Sequence, residues 1–231
     1  MKKSVKPILF NTEMVEAILG GRKTCTRRLV KFLPGQNPAW TGYTKDGFML
    51  YNGNNEPCIR KAPYKPGDIL YVRETWERFE CWNCEGDERG LCPKEPQKNV
   101  LDKHSYGCYM YRATDEISGD AKWHPSIHMP KEAARIWLKV TNVRVEQLQD
   151  ITPKDAKNEG VGNLFYEDIG YSEKNYGTEV DPEYGIAKEQ FAWLWDSTIK
   201  KSDLDRYGWN ANPWVWVIEF EPCEEPRGNE N

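Results

Sequence analysis

Three runs in this 231-residue chain alternate bulky apolar and polar side chains at a period of two. They lie in "YKPGDILYVRETW" (64–76), "ARIWLKVTNVRVEQL" (134–148) and "NPWVWVIEFEP" (212–222). Such a period puts successive side chains on opposite faces of an extended backbone, so each run is read as a strand, the first introduced by a Pro-Gly turn. The helices around them follow no βαβ rhythm. "NTEMVEAILGGR" (11–22) reads as a short amphipathic helix, capped by Asn11 or Thr12, with Met14, Val15, Ile18 and Leu19 on one face and Gly20 and Gly21 as its stop. "ITPKDAKNEGV" (151–161) reads as a shorter one, with Thr152 as cap, Pro153 at the first helical position and Gly160 as stop. "KEQFAWLWDSTI" (188–199) reads as a longer one, with Phe191, Leu194 and Trp195 on a shared face. The order helix, strands, short helix, longer helix, final strand offers no regular helical crossovers. The fold class expected is therefore α+β, built on a small, mainly antiparallel sheet or barrel flanked by short helices.

The length suits one domain carrying insertions. Three stretches read as inserted: residues 32–62, rich in Gly, Asn and Pro; residues 77–122, rich in Cys and charge; and residues 163–184, an acidic Tyr/Gly-rich loop. With 39% hydrophobic and 29% charged residues the chain has the material for a core. No apolar run approaches the roughly 20 residues that cross a bilayer, and "MKKSVKPILF" lacks a signal-type apolar region, so a soluble, cytoplasmic protein is expected. The net charge of −4, from 32 basic and 36 acidic residues, argues against a generally basic nucleic-acid coat. Its distribution says more. Residues 20–31 hold Arg22, Lys23, Arg27, Arg28 and Lys31 with no acid, a local patch able to hold a phosphate or nucleotide, or simply a solvated face.

Four of the seven cysteines fall in one polar segment: Cys81-x2-Cys84, then Cys92, His104 and Cys108. A CxxC knuckle places two thiolates on one tight turn, where a tetrahedral ion reaches both. Structural zinc is the reading, in a zinc-ribbon-like insertion with Cys81, Cys84, Cys92 and Cys108 as ligands and His104 as a substitute for one of them. A redox CxxC or unbound loop thiols are the alternatives. Cys25, Cys58 and Cys223 stand apart as buried or incidental thiols. His124 and His128 in "WHPSIHMP" either shape a loop or line a pocket. No Walker loop, dinucleotide fingerprint or recognisable Ser-His-Asp context occurs.

"GGRKTCTRR" (20–28) fits Gly-x-Lys-x-x-x-x-Arg through Gly21, Lys23 and Arg28, after a short helix. "GDILYVRETW", "LQDITPKDAKNEGV" and "WVWVIEFE" follow in order. Together they resemble the ASCH (activating signal cointegrator homology) domain of the PUA-like superfamily, in the versions carried by phages and prophages. The resemblance covers about two thirds of the chain and omits the three inserted stretches. It implies a PUA-like β-barrel flanked by helices, with RNA, a nucleotide or a modified nucleoside bound in a cleft beside the motif, and the cytoplasm of a bacterial host as the location of a phage-encoded member. It also implies the catalytic set of a small bacterial member that removes the acetyl group of N4-acetylcytidine, which by motif position falls on Lys23, Thr26 and Glu159. Gly21, Arg22, Arg27 and Arg28 then form the ligand grip.

The chemistry stands on its own terms. Amide hydrolysis needs a nucleophile or activated water, a base, and charge stabilisation for the oxyanion. Thr26 supplies a hydroxyl, Lys23 its base if burial or neighbouring cations strip its proton, and Glu159 orients the lysine or shuttles the proton. Arg28 or a backbone N–H near Gly21 faces the oxyanion. Against this stands a plain Lys23–Glu159 salt bridge, with Thr26 opening the next strand. Three other functions fit the residues: a non-catalytic module stacking bases on Trp76, Trp123 or Trp209, a ribonuclease using the same triad, and a phage accessory protein whose Cys-rich insertion docks a partner.

Overall fold

The computed structural model describes residues 4–36, 38–44, 47–59, 62–80, 97–98, 106–115, 122–161 and 182–226. Strand β1 (Val5–Leu9) precedes helix α1 (Thr12–Leu19), in which Asn11, rather than Thr12, takes the cap: its Oδ1 accepts from the Met14 amide at 2.9 Å. Strand β2 (Cys25–Leu29) follows, then β3 (Trp40–Thr44), β4 (Gly47–Tyr51), β5 (Ile69–Arg73), β6 (Trp76–Glu80), β7 (Gln97–Lys98), β8 (Tyr106–Tyr111) and β9 (Trp137–Gln147). Helix α2 (Pro153–Asn158), helix α3 (Pro182–Thr198), the single turn α4 (Leu204–Tyr207) and the final strand β10 (Trp214–Cys223) complete the order.

The architecture is α+β. A mixed five-strand sheet runs in the order β1-β5-β9-β10-β2, beside the hairpin β3-β4 and a three-strand sheet β6-β8-β7. The sheet ends at β1 and β2, and no closure into a barrel is present among the described residues. Two compact units divide the chain: residues 1–5, 17–69 and 138–231 form one, residues 6–16 and 70–137 the other. No helix among the described residues is long and apolar enough to cross a membrane.

In the first unit β10 departs from simple alternation, because Val215, Trp216, Val217 and Ile218 are all buried. An interior strand covered on both faces has no solvent side for polar residues to occupy. Val215 and Val217 pack with Leu148, Ile151, Ala156, Phe191 and Trp195, the core that α2 and α3 lay on one face of the sheet. In the second unit the side chain of Glu74, 1% exposed, is gripped by Arg135 through two bonds of 2.9 Å, and that guanidinium lies 4.0 Å from the Tyr111 ring centre. The Gly-, Asn- and Pro-rich stretch 32–62 contains the β3-β4 hairpin.

Candidate functional site

Helix α1 ends because Gly21 turns left-handed, at φ +71, after which the amides of Arg22 and Lys23 both fold back onto the Ala17 carbonyl at 2.8 and 3.0 Å. The turn leaves Gly20, Gly21, Arg22 and Thr24 exposed and drops Lys23 inward, to 2% exposure. There the Lys23 backbone forms an antiparallel bridge with Glu159, and the Thr24 amide donates to the Asn158 carbonyl at 2.8 Å. Glu159 is delivered by α2, which starts where the Thr152 hydroxyl accepts from the Asp155 amide at 3.1 Å and Pro153 takes the first position. Gly160 closes it at φ +92, where a Cβ would sit 2.8 Å from that of Ala17 and 3.2 Å from that of Lys23. Only glycine permits that approach.

The Lys23 ammonium donates to Glu159 Oε2 at 2.7 Å and to the Glu159 carbonyl at 2.8 Å. Arg27 donates through Nη1 to Glu159 Oε1 at 3.1 Å, and through Nε and Nη2 to Glu146 Oε1 at 3.0 and 2.6 Å. Its Nη2 also lies 3.8 Å from Asp155 Oδ2, and its guanidinium stands 5.6 Å from the Phe191 ring centre. Arg144 extends the chain of charges, pairing with Glu146 at 3.2 Å, Asp155 at 3.4 Å and Glu219. Three cations thus alternate with four carboxylates. Burial alone would lower the Arg27 guanidinium, but Glu159 and then Glu146 more than offset it and hold its pKa above the ordinary arginine value. Arg28 goes the other way, lowered by burial against the opposing pull of Glu159 and Tyr64.

The register of β2 against β10 sorts the motif. Cys25, Arg27 and Leu29 pair with Glu219, Val217 and Val215, on the face that carries α2 and α3, whereas Thr26 and Arg28 pair with Ile218 and Trp216 on the other. So Lys23 and Glu159 meet, and Thr26, itself 2% exposed, belongs to the opposite face of its strand. Arg27, expected in the ligand grip, directs its donors into the buried network and orients Glu159. Arg22 is exposed, with Nη1 on the Gly160 carbonyl at 3.1 Å, and Gly21 is open, nothing lying within 4 Å of where its Cβ would be. The Cys25 thiol sits between the Asp155 carbonyl (3.8 Å) and Arg27 (3.9 Å). Burial first and Glu159 second push its pKa far up, beyond what Lys23 and Arg27 pull back, which disfavours the thiolate.

Sequence reasoning missed Arg144, Glu146, Asp155 and Glu219. The signal was present as "VRVE", where Arg144 and Glu146 share one face of β9. Charged residues at period two look solvated until a helix is known to lie over them. Of the metal-ligand set, Cys81, Cys84, Cys92 and the substitute His104 lie outside the described residues, and Cys108 is placed on β8 opposite Phe79. His124 bridges Trp76 through the backbone, its ring 5.2 Å from the indole.

Comparison with protein-family models, with curated proteins and with solved structures gave no match.

Proposed function

We propose that this chain is an ASCH-like domain that binds RNA, a nucleotide or a modified nucleoside at the exposed loop of residues 20–24, with a PUA-like barrel as the parent architecture. The observation that carries the reading is the contact of Lys23 with Glu159, two residues 136 positions apart that the family pattern pairs and that lie 2.7 Å from each other. On this reading the division of labour follows burial. Arg22, exposed beside the open Gly21 backbone, meets the ligand; Arg27 stays inside and holds Glu159 in place. Because one exposed arginine supplies the charge, the expected phosphate term is small and salt-sensitive.

The test is titration of a fluorescent single-stranded RNA across a salt series. Affinity should fall with salt, and Arg22→Ala should reduce the log–log slope by about one. Binding indifferent to both salt and Arg22 would remove the reading.

Hydrolysis of an N-acyl cytidine amide is the second reading, favoured by the same Lys23–Glu159 contact. Incubation with N4-acetylcytidine should release cytidine by attack of an activated water, since Thr26 faces away from Lys23 and Glu159, and Lys23→Ala, verified as folded by circular dichroism, should abolish release. Product formation undiminished in Lys23→Ala would place the chemistry elsewhere. The same incubation with labelled RNA reports strand cleavage.

A further inference from the structure

The hairpin β3-β4 lies within a stretch that the family resemblance does not account for, and it is built around two rings. Trp40 and Tyr51 stand directly opposite in the register, and their rings stack with centres 4.3 Å apart and planes 16° from parallel. Gly42 makes this possible. A Cβ there would lie 2.8 Å from Trp40 Cζ3 and 3.0 Å from Tyr51 Cε2, so the rings cross the position where a side chain would stand.

The loop beyond Tyr51 locks the pair. The indole N–H of Trp40 donates to Asn55 Oδ1 at 3.2 Å, and Asn55 is held at φ +63. Asn52 Oδ1 accepts from the amides of Asn54 and Glu56, both at 2.9 Å, while its Nδ2 donates to Gln36 at 2.6 Å and to Glu56 at 2.9 Å. The base of the hairpin is pinned by buried Leu50 and Cys58, whose backbones bond at 2.7 Å. Yet Trp40 remains 43% exposed. A large apolar ring fixed in one orientation, stacked, and still facing water contributes little to a core, and its ordering has already been accomplished before any ligand arrives.

We propose that Trp40, backed by Tyr51, is a stacking platform for a base of a single-stranded nucleic acid. The indole itself selects this occupant. Its N–H is bonded to Asn55 and one of its faces is covered by Tyr51, so the exposed part of Trp40 offers apolar ring surface. Every base has a π face and stacks on such a surface whatever the sequence of the strand. The inference rests on the nucleic-acid reading of the loop at residues 20–24 and adds to it a contact to the base, where Arg22 gives a contact to phosphate.

The experiment compares a labelled octamer of single-stranded RNA with an abasic octamer carrying the same phosphates. The unaltered protein should prefer the base-bearing strand by about tenfold, Trp40→Ala should bind both strands alike, and Trp40→Phe should retain most of the preference, which also shows that the hairpin folds without the indole. Trp40→Ala retaining the full preference overturns the platform while leaving the binding reading intact. Failure of the unaltered protein to bind either strand overturns both.

Discussion

Lys23 and Glu159 form a buried ion pair, with side-chain exposures of 0% and 3%, and Arg27 shares the same carboxylate. Charges removed from water are tolerated only with partners in place, so deleting one partner should cost far more than deleting both. Lys23→Ala and Glu159→Ala should each lower unfolding stability by about 3–5 kcal/mol, whereas Lys23→Met combined with Glu159→Leu should recover most of that loss. Urea unfolding of the three variants measures it; single losses under about 1 kcal/mol would show that the pair is solvated. A salt bridge between these two residues was one of the two readings the sequence left open. Their burial was not legible, since a basic run of five cations between residues 20 and 31 reads as solvated face. Strand alternation in β2, invisible until its partner strand is known, is what sends Arg27 inward and Thr26 to the other side.

Helix α2 has only six residues, too few to be stable by propensity, yet it delivers Asp155 and Glu159 to the charge network. Its stability comes from its ends and from Ala156, which is fully buried in the core beside Phe191 and Trp195. Thr152→Ala removes the acceptor for the Asp155 amide and should cost about 1 kcal/mol, while Thr152→Ser should be nearly neutral. Thermal unfolding checks both, and equal losses in the two variants would count against the cap. Both stop and start of α2 were readable from "ITPKDAKNEG", because capping chemistry is local. The β3-β4 hairpin was not, because its decisive residues are aromatic partners eleven positions apart, placed against each other by the turn between them and not by any period.

At the scale of the whole molecule, two buried acids give stability an alkaline limb. Burial, reinforced by Glu159, raises the Cys25 thiol from an ordinary 9.0, and burial raises the Tyr111 phenol from 10.0 despite the pull of Arg135. Unfolding would let both ionise, so the unfolded chain binds fewer protons than the native one at high pH, and stability present below pH 9 must fall as pH rises past it. The expected slope is about 1.4 kcal/mol per pH unit for each group once its ordinary value is passed. Urea unfolding between about pH 8 and pH 10.5 reads the limb, and Cys25→Ser should make it shallower from its onset; identical limbs would exclude Cys25 as a source. The amino-acid sequence by itself determined the α+β class, a strand in each of the three alternating runs, the cap of α2 and the two candidates for the cap of α1, because periodicity and capping act over a few residues. The tertiary structure alone decided that the sheet stays open among the described residues, that β10 is covered on both faces, that Glu146 and Asp155 stand between Arg27 and Arg144 while Arg144 reaches on to Glu219, and that a hairpin presents Trp40. The first three depend on which strand lies beside which, a choice made by packing between segments distant in the chain, and the last on the turn that sets Trp40 against Tyr51.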